Sequence, residues 1–210
     1  MSRGVMAGGP ARRTVLGLAA AALAGGTAGC GNESSAIRKQ AREGEEKGYI
    51  AGDGQIEILA PARRAGPVTL TGTTLNGTPW ALSSQRGRVV LLNVWGSWCP
   101  PCQTELPHLQ DAWAKYQAAG KPVRFIGLLQ KDSVASARST LAKFKITYPS
   151  LRDDGGRSLL NLQGKVVTVP TTLVFDRDGR IAARVSGGST AATFRGLVDQ
   201  ILAERPPRAR

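Results

Sequence analysis

The 210-residue chain predicts an α/β fold, a mixed central sheet flanked by helices in three layers, with a β-hairpin extension on its N-terminal side. Three observations carry this. The run Val89–Val94 is apolar but for Asn93, as in a strand covered on both faces. A helical spacing of Leu106, Leu109, Trp113 and Tyr116 separates it from a second apolar run, Val123–Leu129, which makes a parallel crossover unit. Two late strands, Thr171–Phe175 and Ile181–Val185, are joined by Asp176-Arg-Asp-Gly179, a tight turn that makes them antiparallel.

The elements follow in order. From Tyr49 to Pro61 a weak alternation, Ile56 and Ile58, marks a short strand on the edge of the domain, whose packed part is expected to begin near Pro67. Val68–Leu70 and Pro79–Leu82 flank Leu75-Asn-Gly-Thr78, and Asn-Gly is a favoured hairpin turn because both residues tolerate positive φ. The first long helix runs from the cysteines to about Gly120, where a glycine ends it. Ser133 caps a second helix carrying Leu141 and Phe144, and a shorter helical stretch spans Arg157–Leu162. Ser189 or Thr190 opens a last amphipathic helix with Phe194, Leu197, Val198, Ile201 and Leu202 on one face.

The first 29 residues belong to a different kind of segment. Arg3, Arg12 and Arg13 form a basic region, Val15–Ala24 is short and mildly apolar, and Thr27-Ala-Gly29 are small residues leading to Cys30. That layout is an export signal rather than a structural helix. Its ending resembles a lipoprotein signal, in which the cysteine is lipidated, although Thr27 stands where such signals usually carry leucine. Arg12-Arg13 fits a twin-arginine signal and also a general secretory one. Residues 31–48 hold eight charged residues among small polar ones and read as a flexible tether, so 30–66 is a lipidated cysteine plus linker, 67–204 the domain and 205–210 a basic tail.

Composition narrows the function. The 28 basic and 15 acidic residues give a net charge of +13, and +10 once residues 1–29 are removed with their three arginines. The basic residues are scattered, with no stripe interleaved with aromatics, so nucleic acid is not the expected partner; contact with anionic lipid headgroups is. Beyond the N-terminal region no run of 18 apolar residues marks a membrane span. With Cys30 assigned to lipid, only Cys99 and Cys102 remain of three cysteines. A bridge closing so short a loop removes little unfolded-chain entropy, which favours a working pair over a staple.

The chemistry sits in Trp98-Cys99-Pro100-Pro101-Cys102, between a strand and a helix. Pro100 suits the first helical turn, where its missing N–H has no partner to lose. Cys99 then lies at the helix start, where free N–H groups and the helix dipole favour a thiolate, and is expected to be the more exposed sulfur. Cys102 falls one turn in, partly covered, as a resolving thiol should be. Half of a zinc site is the competing reading, but four ligands are needed and His108 is the single histidine; no metal is expected. Trp98 is expected on the rim beside the thiols, and Trp95 either there or in the core. Glu105 lies in the first turns of the helix, where an exposed acid would also be favourably placed. Val169-Pro170 precedes a strand, a position at which proline is tolerated.

With "NVWGSWCPPCQTELPHL" and, some seventy residues on, "VTVPTTLVFDRDGRI", the chain from Pro67 to Ala203 resembles the TlpA/ResA class of thioredoxin-fold proteins. The resemblance implies membrane-tethered reductases on the outer side of the cytoplasmic membrane. It implies a cis peptide at Val169-Pro170 facing the cysteines, with neighbouring backbone pairing with a substrate strand beside Trp98, Pro100 and Pro101. It assigns Glu105 to tuning thiol acidity and proton movement. Asn93 stands where cytoplasmic thioredoxins keep a buried aspartate, which fits the tethered class. The implied activity is reduction of disulfides in exported proteins, such as the haem-attachment cysteines of apocytochrome c, with a membrane thiol carrier as electron donor and no cofactor beyond the protein's own sulfurs. Three rivals share the fold: a thiol peroxidase, a general oxidant or isomerase of exported proteins, and a copper chaperone. The last would want Cys-x-x-x-Cys and a distant histidine.

Overall fold

A computed structural model describes residues 55–152 and 154–204. The expected signal segment, Cys30, the expected tether over 31–48 and the basic tail lie outside the described residues. The elements are β1 (Gln55–Ile58), β2 (Thr71–Thr73), β3 (Pro79–Ala81), β4 (Val89–Trp95), α1 (Pro100–Ala118), β5 (Val123–Leu129), α2 (Val134–Lys143), β6 (Ser150–Leu151), α3 (Arg157–Leu160), β7 (Thr171–Phe175), β8 (Ile181–Ser186) and α4 (Ala191–Ala203). The first six-stranded sheet runs β1-β8-β7-β4-β5-β6. β4 pairs parallel with β5 and β5 with β6, whereas β7, β8 and β1 run antiparallel to their neighbours. This is the mixed sheet the crossover and the late hairpin predict.

β4 is central because all seven of its residues are buried, and its alternate side chains feed two separate cores. Val89 and Leu91 join Phe125, Val174 and Val185 beneath α1 and α4. Val90, Leu92 and Val94 join Leu128, Leu173 and Phe175 on the other face, beneath Val68, Leu70, Leu82 and Leu162. α1 presents Leu106, Leu109, Trp113 and Tyr116 to the interior, as their spacing requires. The Tyr116 hydroxyl reaches across to α4, 2.9 Å from Asp199 and 3.0 Å from the Arg195 carbonyl, and so fixes the helix pair.

Three boundaries differ from the sequence reading. The hairpin pairs Thr71–Thr73 with Pro79–Ala81 as its own two-stranded sheet, so the first strand lies one step beyond Val68–Leu70. Val68 and Leu70 are instead core residues, held by Val68 N–H on the Gly179 carbonyl and by Leu82 N–H on the Leu70 carbonyl. β6 is a two-residue edge strand too short to leave a periodic signal. The packed unit also begins upstream of Pro67. β1 pairs with β8, and Arg64, 8% exposed, donates to Asp176 at 3.0 Å, to Glu204 and to the Leu59 carbonyl. Among the described residues no helix is long and apolar enough to cross a membrane.

Candidate active site

The carboxyl ends of β4 and β5, the start of α1 and the turn into β7 meet at one end of the sheet. β4 runs into Gly96-Ser-Trp98, and this short loop is fastened on both sides. Ser97 N–H donates to the Asp132 carboxylate at 2.6 Å, Gln103 Nε2 to the Ser97 carbonyl at 2.7 Å, and Trp98 Nε1 to the Gln130 carbonyl at 3.1 Å. Gly96 is required here, since a Cβ would stand 2.5 Å from Trp98 Nε1. The indole is thereby laid over the loop with 52% of its surface exposed.

Cys99 is the N-cap of α1, in extended conformation, and its Sγ accepts the Cys102 backbone N–H at 3.2 Å. Its carbonyl accepts the Gln103 N–H at 3.1 Å. Sulfur here takes the role an N-cap hydroxyl or carboxylate ordinarily fills, and negative charge on it is favoured by the same free amides and by the helix dipole. Cys99 and Cys102 are joined as a disulfide. In this oxidised form Cys99 is 3% and Cys102 1% exposed, so the expected difference in exposure between the sulfurs is small. Pro100 and Pro101 are exposed beside them.

Leu75, Trp95, Leu106, Leu129 and Ala137 surround the pair with apolar groups, and Val169 packs against the same cluster. The Val169-Pro170 peptide is cis. Pro170 is buried, its carbonyl accepting the Gly187 N–H at 2.9 Å, which ties the turn to β8. Trp95 lies in the core rather than on the rim, with its Nε1 3.3 Å from Ser150 Oγ.

Glu105 is not an exposed acid. It is 1% exposed, one turn beyond Cys102 on α1, and its Oε2 accepts the Asn93 amide at 2.9 Å. The same amide lies 3.1 Å from Thr172 Oγ1, just after Pro170, so one side chain from β4 joins α1 to β7. Glu105 Oε1 has no hydrogen-bond partner of ordinary length among the described residues. Burial therefore pushes the carboxyl up to about 8, offset only in part by the Asn93 amide and the Ser189 backbone N–H. Tyr148 is buried with its hydroxyl unpartnered, and burial together with the Glu105 charge pushes its pKa above the usual phenol range. Glu105 also floors a groove of about 430 Å³ between α1 and the loop before α4, lined by Pro101, Thr104, His108 and Gly188–Thr190. His108 is exposed there, and no group of three or more His, Cys, Asp and Glu among the described residues is placed to hold a metal ion.

The structure brings together the cysteines, Glu105, Asn93 and the proline turn that the sequence singled out. Asp132 and Tyr148, which belong to no motif, and Gln103, which lies within the quoted motif beside Cys102, were not singled out.

Comparison with known proteins agrees with this geometry. The AhpC/TSA family matches residues 62–184. A thiol-disulfide oxidoreductase ResA from Bacillus thuringiensis is 30% identical over 144 residues, 69% of this chain and 78% of that protein. A secreted thiol-disulfide isomerase from Corynebacterium glutamicum superposes with a TM-score of 0.67 at 30% identity, covering 74% of this chain and 97% of the other. A DsbF homologue from Corynebacterium diphtheriae gives 0.63 at 27%, covering 72% and 96%.

Proposed function

The chain belongs to the AhpC/TSA family and is a thiol-disulfide oxidoreductase of the thioredoxin fold, and from this we infer that Cys99 and Cys102 reduce disulfides in exported proteins. The observation that carries the reading is a bridged Cys-Pro-Pro-Cys pair whose first sulfur caps a helix while a cis Val169-Pro170 turn borders the same apolar cluster.

The Cys99 thiolate attacks one sulfur of the target disulfide and expels the other as a thiolate. The Cys102 sulfur then attacks Cys99 in the mixed disulfide, releasing the second target sulfur and closing the Cys99–Cys102 bridge. Two electrons pass to the target, which takes up two protons. Glu105, held near neutrality by burial, accepts the Cys102 proton when ionised. The backbone beside Pro170 pairs with the target strand, and Trp98, Pro100, Pro101 and Val169 form the apolar contact around it. No cofactor takes part; a membrane thiol carrier returns electrons to the bridge. The reductive direction, and a target of the apocytochrome c type whose haem-attachment cysteines must be free before haem is ligated, follow the resemblance to the tethered TlpA/ResA class. Cys30, after its small residues, serves as the lipid attachment that keeps the domain at the outer face of the membrane.

Replacing Cys102 by serine leaves Cys99 able to attack but unable to be released. Exported proteins should accumulate on Cys99 as adducts cleaved by thiols, and mass spectrometry should identify them. Absence of such adducts removes the resolving role. A reduction potential near that of strong oxidants, about −120 mV, reverses the direction. A thiol peroxidase is disfavoured because Gly96, not Thr or Ser, stands three residues before Cys99; peroxide consumption by the purified protein separates the two.

A further inference from the structure

The segment 161–170, which ends in the cis turn, has few holds of its own. Leu162 is fully buried at one end, and Thr171 Oγ1 donates to the Thr168 carbonyl at the other. Between them the chain turns through positive φ at Gln163 and Gly164, and Val167 is 84% exposed. The long-range side-chain hydrogen bonds from this stretch run to the N-terminal segment. Lys165 Nζ donates to both Glu57 oxygens, at 2.8 and 3.1 Å, and Gln163 Nε2 donates to the Gly66 carbonyl at 3.0 Å. Val166 and Leu59 pack on the same core face. Glu57 is itself fixed: it lies opposite Arg184 in the β1–β8 register, with Arg184 Nε 3.3 Å from its second oxygen.

We propose that Glu57 is a positioning residue for protein substrates, fixing through Lys165 the loop whose backbone at Val169-Pro170 receives the target strand. This rests on the reading that this backbone pairs with substrate. The register sets the two on one line: Gln55, Ser186 and Thr171 stand in one row across the sheet, so the strand that carries Glu57 starts level with the turn, one strand removed from β7. The three charges are partly exposed, which suits tuning of a loop more than support of the fold. A small disulfide that needs only Cys99 is indifferent to the loop; a polypeptide that must lie along it is not.

The test is a double-mutant cycle on Glu57→Gln and Lys165→Met, using pre-reduced protein against insulin and against the small aromatic disulfide 5,5′-dithiobis(2-nitrobenzoate). Each single change should slow insulin reduction about fivefold, leave the small-disulfide rate within about a factor of two, and combine with no further loss. Unchanged insulin rates, equal slowing of both substrates, or fully additive losses overturn the proposal. Pro170→Ala is the control on the reading beneath it: if that change leaves insulin reduction intact, the backbone-pairing reading fails, whatever Glu57 does.

Discussion

At the scale of single residues, the site is built on one sulfur at a helix start and one carboxyl deprived of water. Glu105 sets a pH dependence whose sign follows from burial. Its carboxyl titrates near 8 in the fold and near 4.5 in the unfolded chain, so the folded state holds the extra proton between these values. The stabilisation this gives is complete below about 4.5 and is lost as the pH rises through about 8. Glu105→Gln should flatten that slope and gain stability relative to the parent above pH 8, by an amount on the order of 2 kcal/mol; thermal melts across pH 5–9 measure it. The same variant should remove an inflection near pH 8 from the exchange rate. A profile unchanged by the substitution would leave Glu105 with no part in proton movement. From sequence, Glu105 could be placed near the helix start but not judged buried, because the Asn93 amide that receives it comes from a different element, β4.

At the scale of elements, the strand and helix periodicities were legible and the close contacts were not. β4, β5, α1 and α4 read directly from runs and spacings, since each has enough residues to show its period. The hairpin strand was displaced because Val68 and Leu70 look like strand residues yet serve the core as single anchors. Close approach is equally silent in sequence. Gly127 on β5 faces Ser150 Oγ, and a Cβ would also lie 2.8 Å from Trp95 Nε1. Gly127→Ala should therefore break the Trp95–Ser150 contact and cost about 1–3 kcal/mol by overpacking, read as a lowered denaturant midpoint, while Gly66→Ala, with open space around it, should not. At the loop before Cys99, Asp132→Ala should free the Ser97 N–H, buried in part, and slow exchange without a comparable loss of stability. Kinetics and melts on one preparation decide between the two effects.

At the scale of the whole molecule, residues 55–66, upstream of the expected start at Pro67, are part of the domain. Arg64 joins the chain before Pro67 to the β7–β8 turn and to the end of α4, and its removal would leave Asp176 buried with Arg180 as its remaining ion-pair partner. Arg64→Ala should cost about 3 kcal/mol, and a chain begun at Pro67 should be less stable still, because β8 would lose the strand that covers its edge. The sequence hid this: Arg64 sits among polar and small residues that resemble a linker, and its partners lie more than a hundred residues away. What the whole arrangement serves is the unequal chemistry of two sulfurs three residues apart. Alkylation of the reduced protein by iodoacetamide across pH 4–9, with the labelled cysteine read by mass spectrometry, tests that directly. The account predicts labelling of Cys99 alone, with a midpoint well below the ordinary thiol value of about 8.5; both cysteines reacting alike, and only at alkaline pH, would contradict it.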